Sequence, residues 1–304
     1  MSERVLARLA DWLAQGPVVL ASVLSSRGAT PRKAGAMMLV RADETYGSVG
    51  GGEAEARVLR AAQLCLQQGE TAAAVEIDLG GGPQAAGICG GRMQVALRRL
   101  HGDEDLAWVE LQRQLLAQGL SIELSAAELG VQGGGEIVVS VMPDPRLLII
   151  GAGHCGLALY ELARLLDFEI WVFDEREADL APQALPDAVC RSGEIGQLRE
   201  ALDTRRPVLA VLLTRNYHCD VAALRLLAES PPQWTGMMGS RKRIRQVLAE
   251  LGDQVESADG EQFRLAGCPL VAPVGLAVGA ETPHEIAVSI LAQLLAVLRL
   301  GRAT

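Results

Sequence analysis

The stretch LLIIGAGHCGLAL, Leu147 to Leu159, decides how the second half of this chain folds. It holds Gly151-x-Gly153-x-x-Gly156 directly after an apolar run. A GxGxxG pattern alone is a weak signal. Here a strand-like run precedes it, a helix-like run follows, and EIWVFDER then forms a second strand ending at Asp174, 23 residues beyond Gly151. That context is the dinucleotide-binding fingerprint of a strand–helix–strand unit. Gly151 makes the tight turn, Gly153 leaves room for a pyrophosphate, and Gly156 lets the helix pack on the strand. The helix N-terminus offers N–H donors to phosphate. Asp174 would accept from a ribose hydroxyl, favouring NAD, while Arg176 weakens the preference over NADP. The competing reading is a Rossmann fold that holds no dinucleotide. His154 and Cys155 fill x positions; His154 is either a cap or a ligand, and Cys155 packs on the helix face.

Strand and helix patterns keep alternating outward from this point. PVLAVLLT, DVAALRLLAES, WTGMMGS and RKRIRQVLAELG follow in turn, and a loop and a long apolar helix close the chain. The alternation implies a doubly wound parallel sheet with helices on both faces. Residues 144–304 form this Rossmann-like domain, and residues 1–143 a separate N-terminal α/β domain, as a length of 304 residues favours. In the first domain, VVLASVL, AMMLV, the TAAAVEIDL run and MQVALRRL read as strands. SERVLARLADWL, EAEARVLRAAQLCLQQ and EDLAWVELQRQLLA read as helices, and RADETYG as a polar turn.

The composition narrows the function classes. The chain is 49% apolar and 21% charged, as in a soluble globular protein. A net charge of −9 argues against nucleic acid as a partner. Ten aromatic residues (three Phe, four Trp, three Tyr) argue against stacking platforms for bases. The longest apolar run, near AVSILAQLLAVL, falls short of the ~20 residues that span a bilayer, so no membrane is expected. Cysteines 65, 89, 155, 190, 219 and 268 form no CxxC pair and match no zinc spacing. Free thiols and the absence of a signal-peptide pattern lead to a cytoplasmic expectation.

Several motifs in order along the chain resemble the XdhC/CoxI family of xanthine dehydrogenase accessory proteins. They are SSRGATPRKAGAMMLV, GSVGGGEAEARV, CGGRMQV, LLIIGAGHCGLAL, VFDER, LTRNYHCDVAAL, GMMGSRKR and PVGLAVGAETPHEIAVSILAQ. Glu53 stands where many members carry a cysteine or another small residue. Asn216 and Tyr217 replace a frequent Asp-His pair, while His218 and Asp220 remain. The resemblance implies a chaperone, with no catalytic residues of its own. It would bind molybdenum cofactor, protect it during sulfuration by a cysteine desulfurase, and insert it into a xanthine dehydrogenase-type molybdenum hydroxylase. It also implies a homodimer, which the apolar last helix suits.

The N-terminal loops offer chemistry that suits such a cofactor. Arg27, Arg32 and Lys33 flank a Gly–Pro loop and suit a phosphate clamp. Gly50, Gly51 and Gly52 precede a helix and form a candidate anion nest. Cys89, with Gly90 and Gly91, would bring a soft thiolate toward molybdenum, its pKa lowered by Arg92. The plainer readings are a solvated loop, ordinary glycine turns and a buried thiol. In the second domain, Thr214 lies at a strand end, and Gly239, Ser240 and Arg241 at a strand-to-helix turn, where doubly wound sheets bind anions. Arg243 and Arg245 read as a solvated helix face. Thr282, Pro283 and Glu285 read as the N-cap, first residue and capping-box partner of the last helix. Two other functions compete with the chaperone: an NAD(P)-dependent oxidoreductase acting on a pterin or small anion, and a thiol redox regulator.

Overall fold

A computed structural model describes residues 2–82, 85–88, 90–131, 137–176, 185–257 and 262–301. The chain divides into two compact units, residues 1–144 and 145–304. Strand β1 (Val18–Arg27) is central to the first. It pairs antiparallel with β2 (Met37–Val40) and β5 (Arg92–Leu100). With β3 (Thr45–Gly47) and β4 (Ala72–Asp78), the sheet order is β3-β2-β1-β5-β4. Both faces of β1 are covered, so its sequence reads as one apolar run. Val18, Leu20 and Leu24 pack with α1 (Ser2–Leu13), α3 (Gly102–Ala117) and the hairpin β6–β7 (Ile122–Ser125, Val138–Val141). Val19, Ala21 and Val23 pack instead with α2 (Gly52–Gln68), where Cys65 is buried. Arg27 belongs to β1 rather than to the following loop. Part of the stretch expected as a polar turn is the edge strand β3, recruited by pairing with Met38–Val40.

The second unit has sheet order β10-β9-β8-β11-β12-β15-β14-β13. Strands β8 (Arg146–Ile150), β9 (Glu169–Asp174), β10 (Ala188–Ser192), β11 (Val208–Leu212), β12 (Trp234–Met237) and β15 (Cys268–Val271) are parallel. In chain order these six run 3-2-1-4-5-6, the doubly wound order of dinucleotide-binding folds. Strands β13 (Val255–Ser257) and β14 (Gln262–Leu265) extend the edge antiparallel. Helices α4 (His154–Ala163) and α8 (Pro283–Leu300) cover one face; α5 (Leu198–Leu202), α6 (Tyr217–Glu229) and α7 (Arg241–Leu251) cover the other. β15 lies in sequence that reads as loop; it becomes a strand through pairing with Thr235 and Gly236 of β12.

Helix α8 opens with the expected capping box. Thr282 caps it, Pro283 is its first residue, and Glu285 accepts from the backbone N–H of Thr282 at 2.9 Å. Among the described residues it is the one helix with the length and hydropathy of a membrane span, longer than the apolar run expected from sequence. Its inner face seats Ala287, Ile290, Leu291 and Leu294 in the core beside α4.

The fingerprint glycines set how closely α4 approaches the sheet. A Cβ on Gly156 would lie 1.9 Å from the carbonyl oxygen of Gly151. One on Gly151, at φ +113°, would lie 2.7 Å from the backbone of Leu213. Gly156→Val should therefore cost about 3 kcal/mol or more by overpacking. The check is denaturant unfolding followed by Trp171 and Trp234 fluorescence, with the first unit's transition unmoved.

Candidate functional site

The carboxyl ends of β8 and β11 diverge at the switch point of the doubly wound sheet, where ligands of such folds bind. A cavity of about 190 Å³ lies there, lined by Gly151, Gly153, Asp174, Glu175, Arg215 and Asn216 among others. Gly153 is the N-cap of α4 and has an ordinary φ of −72°. A Cβ on it would meet only the Arg215 guanidinium, at 3.7 Å and beyond. Arg215 Nη2 donates to His154 Nδ1 at 2.9 Å, so His154 is neither a side-chain cap nor buried.

Asp174 does not present a free carboxylate for a ribose. It is only 6% exposed. Its Oδ2 accepts from the Ala152 backbone N–H at 2.8 Å, and its Oδ1 from the Arg176 N–H at 3.0 Å. Its neighbour Glu175 accepts from Asn216 Nδ2 at 3.0 and 3.1 Å, tying the end of β9 to the start of α6. The cavity is also smaller than the roughly 300–1,000 Å³ usual for drug-sized ligands.

Beneath the crevice lies a buried polar network. Asp220 is fully buried. It accepts from Thr214 Oγ1 at 2.5 Å and from Arg243 Nε at 2.8 Å, with Arg243 Nη2 close to the same carboxylate. Arg243 is therefore not a solvated residue: it turns inward because a carboxylate without water needs a charge partner. Burial raises the Asp220 pKa above its ordinary value, against the pull of Thr214 and Arg243. Cys219, at the cavity wall, is pushed up to about 12 by burial and by the charges of Glu175, Asp220 and Asp174. Burial likewise raises Cys65, Cys155 and Cys190. These are inert thiols, which counts against a redox role for them.

Gly239, Ser240 and Arg241 do not reach this cavity's wall. Ser240 caps α7, accepting from the Arg243 N–H at 3.2 Å; Gly239 packs beside the Arg243 stem, and Arg241 is exposed. The two side chains that sequence reasoning missed are Glu175 and Arg215. Each lies one residue beyond a predicted one, Asp174 and Thr214, and extending the strand-end rule by one position would have found both.

In the first unit the glycine loops converge. A Cβ on Gly91 would lie 2.3 Å from the Ala29 carbonyl oxygen, and one on Gly28 3.0 Å from that of Gly90, so the 90–91 loop sits against the chain that follows β1. A Cβ on Gly50 would lie 2.5 Å from Pro31 Cγ, which brings in the third loop. Arg27 and Arg92 are direct cross-strand partners, and Asp78 is the next partner across from Arg92. All three are exposed. Asp78 Oδ1 lies 3.9 Å from Arg92 Nε and accepts from the Gly80 N–H. Two arginines directly opposite one another are unfavourable unless an anion lies between them. Arg32 is half-buried and Lys33 exposed in the adjoining loop.

The expected nest at Gly50–Gly52 is already in use. The Gly51 and Val49 N–H groups donate to Glu55 Oε2 at 3.1 Å, and Ser48 Oγ donates to it at 2.6 Å. The Gly50 N–H donates to Ser48 Oγ. Burial raises the Glu55 pKa, but these donors outweigh it and hold the carboxyl below its ordinary value. A carboxylate of the chain itself takes the place expected for a phosphate, because Glu55 lies one helical turn beyond the loop. Cys89 lies outside the described residues.

Residues 147–294 match the family described as the XdhC Rossmann domain, and residues 12–78 the XdhC and CoxI family. Uncharacterized protein YqeB of Escherichia coli (strain K12) is 32% identical over 285 residues, 92% of this chain and 43% of that protein. The chain thus spans less than half the length of that relative. Molybdenum cofactor insertion chaperone PaoD of the same organism is 28% identical over 295 residues, 92% of this chain and 83% of that protein. A crystal structure described as a xanthine dehydrogenase from Bacillus halodurans has the same fold, with a TM-score of 0.79 at 23% identity, over 99% of this chain and 96% of that one.

The Asp220–Arg243 pair sets a pH dependence. Because the folded pKa of Asp220 is raised, its contribution is greatest in acid and is lost as pH rises through that pKa. Arg243→Met removes the charge partner and should cost about 3–5 kcal/mol at neutral pH. The deficit against the parent chain should shrink on acidification, as denaturant unfolding across a pH series would show.

Proposed function

Because this chain belongs to the XdhC and CoxI family, we propose that it binds molybdenum cofactor and hands it to a molybdenum hydroxylase of the xanthine dehydrogenase type. When bound, that group brings an oxo-molybdenum dithiolene centre on a pterin that ends in a phosphate. The observation that carries the reading is the exposed cross-strand pair Arg27–Arg92 beside the convergent loops. Two guanidinium forks offer parallel N–H donors in the geometry that suits a phosphate dianion. Arg32 and Lys33 add charge from the neighbouring loop. Gly90 leaves its backbone open, with nothing within 4 Å of where a Cβ would stand, so a planar ring system can approach it, while Gly91 packs against the chain after β1. Cys89, adjacent in sequence, supplies a soft donor suited to molybdenum.

On this reading the chain is a carrier. Its residues hold and orient the cofactor, and sulfuration by a cysteine desulfurase takes place while the cofactor is held. The name of PaoD supports the insertion role. A carrier must also release its cargo. Arginines exposed at the strand ends suit release better than a sealed, dry site, since exposed charge pairs contribute little each.

The test is pterin content. The chain is purified anaerobically from cells making molybdenum cofactor, oxidised with iodine, and assayed for the fluorescent pterin product. Cells without cofactor synthesis serve as the control. The parent chain should carry near-stoichiometric pterin. The double variant Arg27→Ala/Arg92→Ala should lose most of it, by about tenfold or more, equivalent to ~1.4 kcal/mol. Cys89→Ser should lower retention as well. Absence of pterin from the parent chain would sink the carrier reading, and full retention by the double variant would move the phosphate contact away from the Arg27–Arg92 end of β1 and β5.

A further inference from the structure

Strand β4 is an outer strand of the first unit's sheet, and its far side is open. Two hydrogen bonds fix which of its backbone groups face outward. The Arg99 N–H donates to the Thr71 oxygen at 2.9 Å, so Thr71 and the alternate residues Ala73, Val75 and Ile77 bond across to β5. The Ala86 N–H donates to the Asp78 oxygen at 2.7 Å, from the other side. Ala72, Ala74 and Glu76 therefore point their N–H and C=O groups away from the sheet, and no described residue bonds to them. Such an edge is a template for one more strand.

The start of that edge opens into a cavity of about 670 Å³, whose lining includes Thr71, Ala72, Arg99, Trp108 and Gly130. The other charged groups of its wall are spent on one another. Arg98 donates to Asp105 Oδ1 and to the Glu128 carbonyl oxygen, both at 2.6 Å. Asp105 also accepts from the His101 N–H, and the Glu128 carboxylate from the Ser125 N–H and hydroxyl. Arg99 has no partner among the described residues, and its Nε is buried without an acceptor. Buried donors without acceptors are rare in folded chains. Glu76, farther along the edge, is exposed and unpaired among the described residues.

These features select an occupant. A strand that runs antiparallel to β4 and ends opposite Ala72 puts its terminal carboxylate beside the cavity that Arg99 lines. Earlier in the same strand, the residue opposite Glu76 shares a face with it, where a basic side chain is favoured. A second copy of β4 fits less well: paired about Ala74, it would set Asp78 directly against Glu70, two like charges.

We propose that β4 accepts the extended C-terminal tail of a partner protein as an antiparallel strand, with the tail's carboxylate taken by Arg99 and a basic side chain of the tail by Glu76. Main-chain hydrogen bonds to Ala72, Ala74 and Glu76 supply the pairing, and the two charges set the direction and register. A guanidinium fork matches a carboxylate with two parallel hydrogen bonds. The surface does not rest on the cofactor reading.

The experiment titrates the full chain by calorimetry with the peptide acetyl-Thr-Lys-Val-Thr-Val-Leu, bearing a free carboxylate. Its C-terminal amide and the peptide with Glu in place of Lys are the comparisons. The free acid should bind about tenfold or more tighter than either. Ala74→Pro removes an outward N–H that makes no bond within the sheet, so it should fold like the parent and lose the peptide. Arg99→Gln should bind acid and amide alike, and Glu76→Lys should prefer the Glu peptide. Thermal unfolding of each variant beside the parent separates a lost surface from a lost fold. No binding by the parent, equal binding of acid and amide by the parent, full binding by a folded Ala74→Pro chain, or an unchanged Lys preference in Glu76→Lys overturns the proposal. Pterin content is read separately, so each of these results leaves the carrier reading to its own test.

Discussion

The close approach of α4 to β8 governs the second unit. With 1.9 Å between the Gly151 oxygen and the place a Cβ of Gly156 would take, any larger residue pushes the helix off the sheet. That contact aims the first turn of α4 at the gap between β8 and β11. Everything at the mouth then follows from what the strand ends present. Ala152 offers an N–H, and Asp174 accepts it. Leu213 and Thr214 lead into Arg215, which lies against Gly153. The frame is that of a nucleotide-binding fold, yet its polar groups largely satisfy one another. The Asp174 carboxylate in particular accepts from backbone N–H groups on both of its oxygens.

The first unit resolves a similar competition in another way. Its glycine loops pack against one another, and Glu55 fills the nest that its sequence advertises. The unspent charge sits instead at the end of the central strands β1 and β5, where Arg27 and Arg92 face each other with one aspartate beside them. Such a pair is held apart by solvent or brought together by an anion. Both arginines are also exposed.

The Thr214–Asp220–Arg243 network ties the end of β11 to the first turns of α6 and α7. Thr214 and Asp220 come from one sequence block and Arg243 from another, and Asp220 is fully buried. Removing one partner leaves a charge in a poorly hydrated place, so the network constrains where α6 and α7 begin relative to β11. This gives the GSRKR block a structural role: Ser240 caps α7 and Arg243 neutralises Asp220.

Sequence alone determined the doubly wound second half, the spacing of its three glycines, and the capping box of α8. Each rests on signals within a few residues of one another: a period of hydrophobicity, a turn that needs no side chain, a hydroxyl three positions before a glutamate. Tertiary structure alone decided that β3, β10 and β15 are strands, because short segments without strong periodicity become strands only when a partner satisfies their backbone groups. It also decided that Asp174 and the Gly50–Gly51 amides are occupied, that Arg243 points inward, and that Arg27 faces Arg92. The reason is common to all of these. A residue's type states which hydrogen bonds and charges it can offer, but which of them remain unspent depends on neighbours that folding brings from elsewhere in the chain.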